Sequence, residues 1–142
     1  MKATFISIFA MIGILLVTGA CASIPQQASI EVSIDEFMNV KYISKEVEVP
    51  VGGVLTVTLG SNPTTGFKWS ESAKISDPTV LKQSEHKFVS PEAEGIAGAP
   101  GKEVWTFKAL KKGTTEVSMD YSRPWEGGEK GEWTFKLTVV VK

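Results

Sequence analysis

Short runs in which apolar and polar residues alternate recur along this chain from Ser29 onward. In the first run, Ile30, Val32 and Ile34 share one face, and the intervening polar residues share the other. A period of two is the spacing of a β-strand with one buried face. The runs predict strands at SIEVSID (29–35), KEVEVPV (45–51), VLTVTL (54–59), FKWSES (67–72), VLKQSEHKFV (80–89), EVWTFKAL (103–110), TTEVSMDYS (114–122) and EWTFKLTVVV (132–141).

Turn-forming residues separate these runs, among them Gly52-Gly53, Asp77-Pro78 and the segment 111–113. No stretch of helical spacing alternates with the strands, which disfavours a parallel α/β sheet. Short strands at this spacing are typical of an antiparallel sandwich. The sequence therefore predicts an all-β fold, a single Ig-like antiparallel β-sandwich of seven to eight strands, in which Pro50 indicates an edge strand.

The N-terminal segment has the layout of a secretory signal peptide. Lys2 precedes an apolar run at 5–17, which is shorter than the roughly 20 residues that span a bilayer, and small residues follow. Cleavage before Cys21 would make that residue a lipidated N-terminus, whereas cleavage after Ala22 would discard it. Both alternatives remain open at this point.

Either cleavage leaves one domain of ordinary size in an exported protein. We expect a cell-envelope location, anchored in the membrane if Cys21 is lipidated and otherwise periplasmic or secreted. Cys21 is the single cysteine, so an apolar core rather than a disulfide must hold the fold. The predicted divisions are a signal peptide at 1–20, a tether at 21–29 and the domain at 30–142.

The formal net charge is −1, and loss of Lys2 with the signal peptide would lower it by one more. Such a balance gives no electrostatic footprint for nucleic acid or for a polybasic membrane contact. We expect no nucleic-acid partner, contact with a membrane only through an N-terminal lipid, and a monomer.

Strand direction brings three connections to one end of the predicted sandwich. If the strands from Val54 onward are labelled B to G and alternate in direction, every second connection emerges at the same end. These connections are the B–C loop (SNPTTG, 61–66), the D–E loop (SPEAEGIAGAPG, 90–101) and the F–G loop (RPWEGGEKG, 123–131). The unusual loop residues therefore converge, as binding loops do on a rigid scaffold.

Catalytic interpretations find little support in the residues. His86 is the only histidine, it lies in a predicted strand, and no nucleophile motif accompanies it. A histidine cluster for a metal cannot form, and no nucleotide-binding motif is present. We therefore expect no enzymatic activity, no metal and no cofactor. Trp69, Trp105 and Trp133 lie in strand patterns and are predicted to be core or sheet-face residues.

The B–C loop is composed of residues that stiffen a backbone. Pro63 fixes its own φ and drives Asn62 toward extended geometry, while Asn62 can form an Asx-turn. Thr64 and Thr65 are restricted at χ1, and Gly66 can supply a positive φ. In the F–G loop, Arg-Pro-Trp offers the side chains most enriched at interface hot spots. Both loops are thus predicted to bind a partner with little loss of entropy.

Three motifs in order give the chain a family resemblance: NPTTGF (62–67), GIAGAPGKEVWTF (95–107) and RPWE (123–126). With these motifs the chain resembles the chagasin-like inhibitors of papain-type cysteine peptidases, inhibitor family I42, over roughly residues 48 to 141. It departs from the family pattern at Pro100, where a glycine is usual. Phe67 also replaces the tyrosine of some members.

The resemblance implies an Ig-like fold and tight, reversible inhibition of a papain-family cysteine peptidase by three loops that enter its cleft. It implies a central wedge with Thr64 and Thr65 nearest the catalytic thiol, an extended D–E segment on one side, and Trp125 against the other wall. The peptidase-binding residues that it implies are Asn62, Pro63, Thr64, Thr65, Gly66, Phe67, Gly95, Gly98, Ala99, Pro100, Gly101, Arg123, Pro124 and Trp125.

A second class of function also fits the three loops. An envelope-anchored Ig-like module could use the same surface to bind carbohydrate or an assembly partner without inhibiting a peptidase. Assay against papain separates the two, because only the first class predicts inhibition.

Overall fold

The computed structural model describes residues 26–91 and 98–142. The predicted signal peptide, Cys21 and position Gly95 of the D–E loop lie outside the described residues. Within the two described ranges, no helix is long and apolar enough to cross a membrane.

Two β-sheets face each other. One sheet has the strand order β1-β3-β7-β6, and the other has the order β2-β9-β8-β4, with β5 also paired to β8. The elements are β1 (Gln27–Val32), α1 (Ile34–Asn39), β2 (Tyr42–Val49), β3 (Val54–Ser61), β4 (Lys68–Trp69), β5 (Lys74–Ile75), β6 (Leu81–Val89), β7 (Gly101–Ala109), β8 (Gly113–Ser122) and β9 (Trp133–Val141), together with one 3₁₀ turn at Pro63–Thr65.

The core lies between the sheets and is formed by the inward-facing residues of the alternating runs. Strand β8, for example, buries Val117, Met119 and Tyr121 in alternation. Trp69 and Trp105, which were predicted to lie in the core or on a sheet face, are fully buried, and their rings meet edge to face with centroids 6.5 Å apart. Burial of such large apolar surfaces supplies most of the favourable free energy of folding.

The N-terminal region differs from the prediction of one strand at 29–35. Strand β1 begins at Gln27, inside the predicted tether, and Ile34 is the first residue of helix α1 rather than the end of a strand. A capping box starts the helix, since the Ser33 hydroxyl accepts from the Glu36 N–H and the Glu36 carboxylate accepts from the Ser33 N–H. The capping box therefore favours a helix from Ile34 onward, although the alternating pattern predicted a strand there.

Both outer strands that precede β3 pair in parallel, although the strands were predicted to be antiparallel throughout. Strand β1 is parallel to β3, and β2 is parallel to β9. Because α1 carries the chain from one sheet to the other, β1 and β2 join the edges of different sheets. Strand β2 is an edge strand, as Pro50 indicated, but Pro50 itself follows the strand.

The predicted strand at 67–72 is interrupted. Two short strands take its place, Lys68–Trp69 and Lys74–Ile75, and each pairs antiparallel with β8. Between them, the Trp105 indole N–H donates to the Glu71 carbonyl at 3.1 Å, and the Gln83 side chain bonds the backbone of Glu71 and Ala73. Side chains of the facing sheet therefore form hydrogen bonds with backbone groups that a continuous strand would have paired with β8.

The interruption leaves strand direction unchanged, so the up-and-down alternation from β3 to β9 matches the prediction. The ends of β3, β6 and β8 lie at one end of the sandwich, with the B–C, D–E and F–G loops. The opposite end carries plain turns. In one of them the Thr79 hydroxyl donates to Asp77 at 2.6 Å, and this bond lowers the pKa of the Asp77 carboxyl.

Candidate functional site

The B–C loop is closed by its own hydrogen bonds. The Asn62 side-chain oxygen accepts from the Thr64 N–H at 3.3 Å and from the Thr64 hydroxyl at 2.6 Å, which confirms the predicted Asx-turn. The Thr65 hydroxyl donates to the Asn62 carbonyl at 2.7 Å. Pro63–Thr65 form a 3₁₀ turn that ends at Gly66, whose φ is 81° as predicted. Both threonine hydroxyls are thus engaged inside the loop.

Tyr121 fastens the base of this loop to the sandwich. Its buried hydroxyl accepts from the Asn62 N–H at 2.9 Å and lies 3.4 Å from the Asn62 carbonyl oxygen, to which it donates. These two bonds fix the residue at which strand β3 gives way to the loop. Tyr121 was not predicted as a site residue, although its inward-facing position two residues before Arg123 was visible in the strand pattern.

A column of stacked rings continues from the loop into the molecule. Phe67 stacks on Tyr121 with ring centroids 5.4 Å apart, and Tyr121 stacks on Trp133 at 4.7 Å. Trp133 in turn stacks on Phe37 of helix α1 at 5.5 Å. Offset and stacked aromatic pairs each contribute about 0.5–1.5 kcal/mol beyond area burial. Phe67 therefore supports the base of the loop, and α1 braces the column from the far side.

Arg123 joins the F–G loop to the B–C loop. Its guanidinium lies 4.5 Å from the centroid of Phe67, a cation–π arrangement, and its Nη2 donates to the Thr65 carbonyl at 3.3 Å. Glu129 lies 3.8 Å from the same guanidinium. The Arg123 side chain is therefore engaged within the loop surface, whereas Pro124 and Trp125 next to it are exposed.

The Asn62 side chain joins the D–E loop to the B–C loop. The Asn62 side-chain amide donates to the Gly98 carbonyl at 3.2 Å, and Gly98 has a φ of 78°. Ala99 and Pro100 lead into Gly101, which begins β7 opposite Ser61. A Cβ at Gly101 would lie 2.6 Å from the Val89 carbonyl oxygen, so the close approach of β6 requires glycine there.

Every predicted loop residue that the structure describes therefore lies at one end of the sandwich. The contacts among Asn62, Gly98, Thr65 and Arg123 make the three loops one surface. Helix α1 lies at this same end, beside the B–C and F–G loops, and it was not predicted. With the loops it borders a cleft of about 450 Å³, whose lining includes Ile34, Met38, Thr65, Phe67 and Arg123.

His86 is paired with a buried carboxylate and has a structural role. Its Nε2 lies 3.1 Å from one carboxylate oxygen of the buried Glu103. The other oxygen of Glu103 accepts from the backbone N–H of Trp69 at 3.2 Å. The pair bridges the two sheets and contacts no nucleophile in the described ranges. Within these ranges, no three His, Cys, Asp or Glu residues are grouped so as to hold a metal ion.

The described residues therefore define a β-sandwich binding protein whose three end loops form one braced surface. Residues 48–139 match the model of the chagasin family peptidase inhibitor I42. The chain belongs to this family, as its loop motifs predicted. Membership in a family of peptidase inhibitors confirms the prediction that the chain is not an enzyme.

Two relatives align with most of the chain. Amoebiasin-2 of Entamoeba histolytica is 30% identical over 96 residues, which are 68% of this chain and 76% of the relative. Chagasin of Trypanosoma cruzi is 36% identical over 96 residues, covering 66% of this chain and 84% of the relative.

Solved structures confirm the predicted fold. The cysteine protease inhibitor EhICP2 of Entamoeba histolytica superposes with a TM-score of 0.64 at 24% identity, covering 83% of this chain and 99% of that chain. PbICP-C, solved in complex with falcipain-2, superposes with a TM-score of 0.50 at 19% identity, covering 82% of this chain and 99% of that chain.

Proposed function

We propose that the protein is a tight, reversible inhibitor of papain-like cysteine peptidases that occludes the active-site cleft with its three end loops. The observation that carries this proposal is the bonding between the loops, in which Asn62 reaches Gly98 and Arg123 reaches Thr65 in a chain of the chagasin family. A surface braced in this way loses little entropy on binding. The PbICP-C complex with falcipain-2 gives the partner class for a protein of the same fold.

The loops have different roles in this proposal. The B–C loop with Phe67 forms the central wedge, with Thr64 and Thr65 nearest the catalytic thiol. The segment 95–101 lies along one side of the cleft, and Pro124 and Trp125 pack against the other wall. The exposure of the threonines, Pro124 and Trp125 supports these roles, since each retains apolar surface for a partner to cover.

Resistance to cleavage follows from the conformation of the wedge. A peptidase acts on a substrate carbonyl held in near-attack geometry to its thiol. Here the Gly66 N–H donates to the Pro63 carbonyl at 3.0 Å, and the Thr65 carbonyl accepts from Arg123. These bonds hold the peptide groups in a closed turn, so an extended backbone could be presented only after they break. The wedge therefore fills the site without being hydrolysed quickly.

Titration of papain with the purified protein tests the proposal. We expect inhibition at one inhibitor per active site, relieved on dilution, with the inhibitor chain intact afterwards. No inhibition at micromolar concentration would favour the alternative of a non-inhibitory module for carbohydrate or an assembly partner. No contact in the described residues favours that alternative.

We also propose that the protein is an exported monomer, with a signal peptide at 1–20 and a lipid on Cys21. The start of the described sandwich is compatible with an N-terminal anchor. Gln27 pairs with Val54 at the start of β3, the end opposite the loops. An anchor there would leave the loops facing away from the membrane. Mass measurement of the mature N-terminus tests this, since a free Ser23 would exclude the lipid.

A further inference from the structure

The indole of Trp125 rests on the backbone of the B–C loop. A Cβ at position 66 would lie 2.5 Å from Cη2 and 3.3 Å from Cζ3 of the indole. Real Cβ atoms do not approach other atoms so closely, so the ring occupies the space that a side chain at Gly66 would need. Glycine is therefore needed at position 66 for two reasons. Its φ of 81° disfavours other residues, and the indole leaves no space for a side chain.

The pyrrole edge of the same indole lies against Gly128. A Cβ at position 128 would lie 3.0 Å from Nε1 of Trp125 and 2.7 Å from the Arg123 carbonyl oxygen. Gly128 does not have a positive φ, so space alone requires glycine there. Its N–H donates to the Trp125 carbonyl at 3.1 Å and closes the turn that carries the indole.

Lys130 holds the backbone on both sides of Pro124. Its ammonium donates to the Arg123 carbonyl at 2.6 Å and to the Trp125 carbonyl at 2.9 Å. A single cationic group thus satisfies two carbonyls that face the same way, and charge-assisted bonds of this kind are stronger than neutral ones. The lysine fixes the direction in which the Trp125 backbone presents its side chain.

Another glycine of the same loop shows that the steric requirement is local. Gly127 has a φ of 75°, but a Cβ there would meet nothing within 4 Å. Gly127 serves only the conformation of the turn, whereas Gly66 and Gly128 flank the indole of Trp125.

We propose that Gly66, Gly128 and Lys130 are positioning residues that hold the Trp125 indole across the B–C loop before any partner arrives. This proposal rests on the proposed function, because the held orientation is the one that meets the peptidase. Immobilising a side chain in advance removes part of the entropic cost of association. We expect this immobilisation to lower the inhibition constant about three- to tenfold.

A double-mutant cycle with papain tests whether Lys130 acts through Trp125. We expect Lys130→Met to weaken inhibition about three- to tenfold in the wild-type background and less than twofold in the Trp125→Ala background. Lys130→Arg, which keeps two donors, should retain inhibition, and Gly128→Ala should behave like Lys130→Met. Lys112→Met, in the turn at the opposite end, is the matched control for loss of a lysine. Equal losses in both backgrounds, or no loss, would overturn the proposal.

A measurement on the free protein separates this proposal from the proposed function. Ring current from the indole should displace the Gly66 Hα resonances in the NMR spectrum, and Trp125→Ala should abolish the displacement. Lys130→Met should reduce it. If wild type and Trp125→Ala give the same Gly66 shifts, the indole does not rest there and the proposal is wrong even in an active inhibitor. Displaced shifts in a protein that fails to inhibit papain would refute the proposed function and leave the indole placement standing.

Discussion

Truncation of Trp125 to alanine should weaken inhibition while leaving the fold intact. Trp125 is 52% exposed, and a tryptophan buries up to about 250 Å² when covered, so roughly 130 Å² remains for a peptidase to cover. At about 25 cal/mol per Å², this area corresponds to about 3 kcal/mol, or roughly a hundredfold in the inhibition constant. This figure is an upper value, because imperfect contact and the remaining Cβ reduce the loss. We expect at least a tenfold increase.

The assay is the inhibition constant against papain, measured beside thermal unfolding of each variant. The Trp125 indole contacts loop glycines rather than the core, so the free energy of unfolding should change by no more than about 1 kcal/mol. Leu110→Ala is the matched control, because Leu110 is 47% exposed at the end of the sandwich opposite the loops. An inhibition constant within twofold of wild type, in a folded Trp125→Ala protein, would remove this residue from the interface.

Three further substitutions test the supports of the loop surface. Tyr121→Phe should lower the free energy of unfolding by about 1–3 kcal/mol and weaken papain inhibition, because the Asn62 N–H loses its partner; unchanged values of both would contradict the role of the hydroxyl. Glu103→Ala should lower the free energy of unfolding, measured in urea, by about 3 kcal/mol, since the buried backbone N–H of Trp69 is left unbonded. A loss below about 1 kcal/mol would show that another group replaces the carboxylate. Ser33→Ala should cost about 1 kcal/mol through loss of the helix cap, which thermal unfolding would detect, and no change would refute the cap.

The features of this protein that could be predicted from its sequence are those set by neighbouring residues. The Asx-turn at Asn62 and the positive φ at Gly66 depend on residues within one loop, and both follow from side-chain chemistry. Strand alternation and direction were also enough to bring the three loops together, because parity does not depend on register. The interrupted strand between Trp69 and Lys74 preserved that parity.

Contacts between distant residues could not be predicted in the same way. The bond from the Asn62 N–H to Tyr121 joins residues 59 apart, and that from Arg123 to the Thr65 carbonyl joins residues 58 apart. No pattern within one strand specifies such a partner. Helix α1 is a different case, since Ser33 and Glu36 have the spacing of a capping box, but the prediction followed the alternation of Ile30, Val32 and Ile34 and extended the strand over Ile34.

The most direct test of the proposed function is a titration of active-site-counted papain with the purified protein, followed by mass measurement of the inhibitor. An occluding inhibitor predicts loss of activity at one molecule per active site, recovery of activity on dilution, and an unbroken chain from Asn62 through Phe67. Full activity at micromolar inhibitor would contradict the proposed function. Hydrolysis between Thr64 and Gly66 as fast as that of an ordinary substrate would contradict the wedge mechanism.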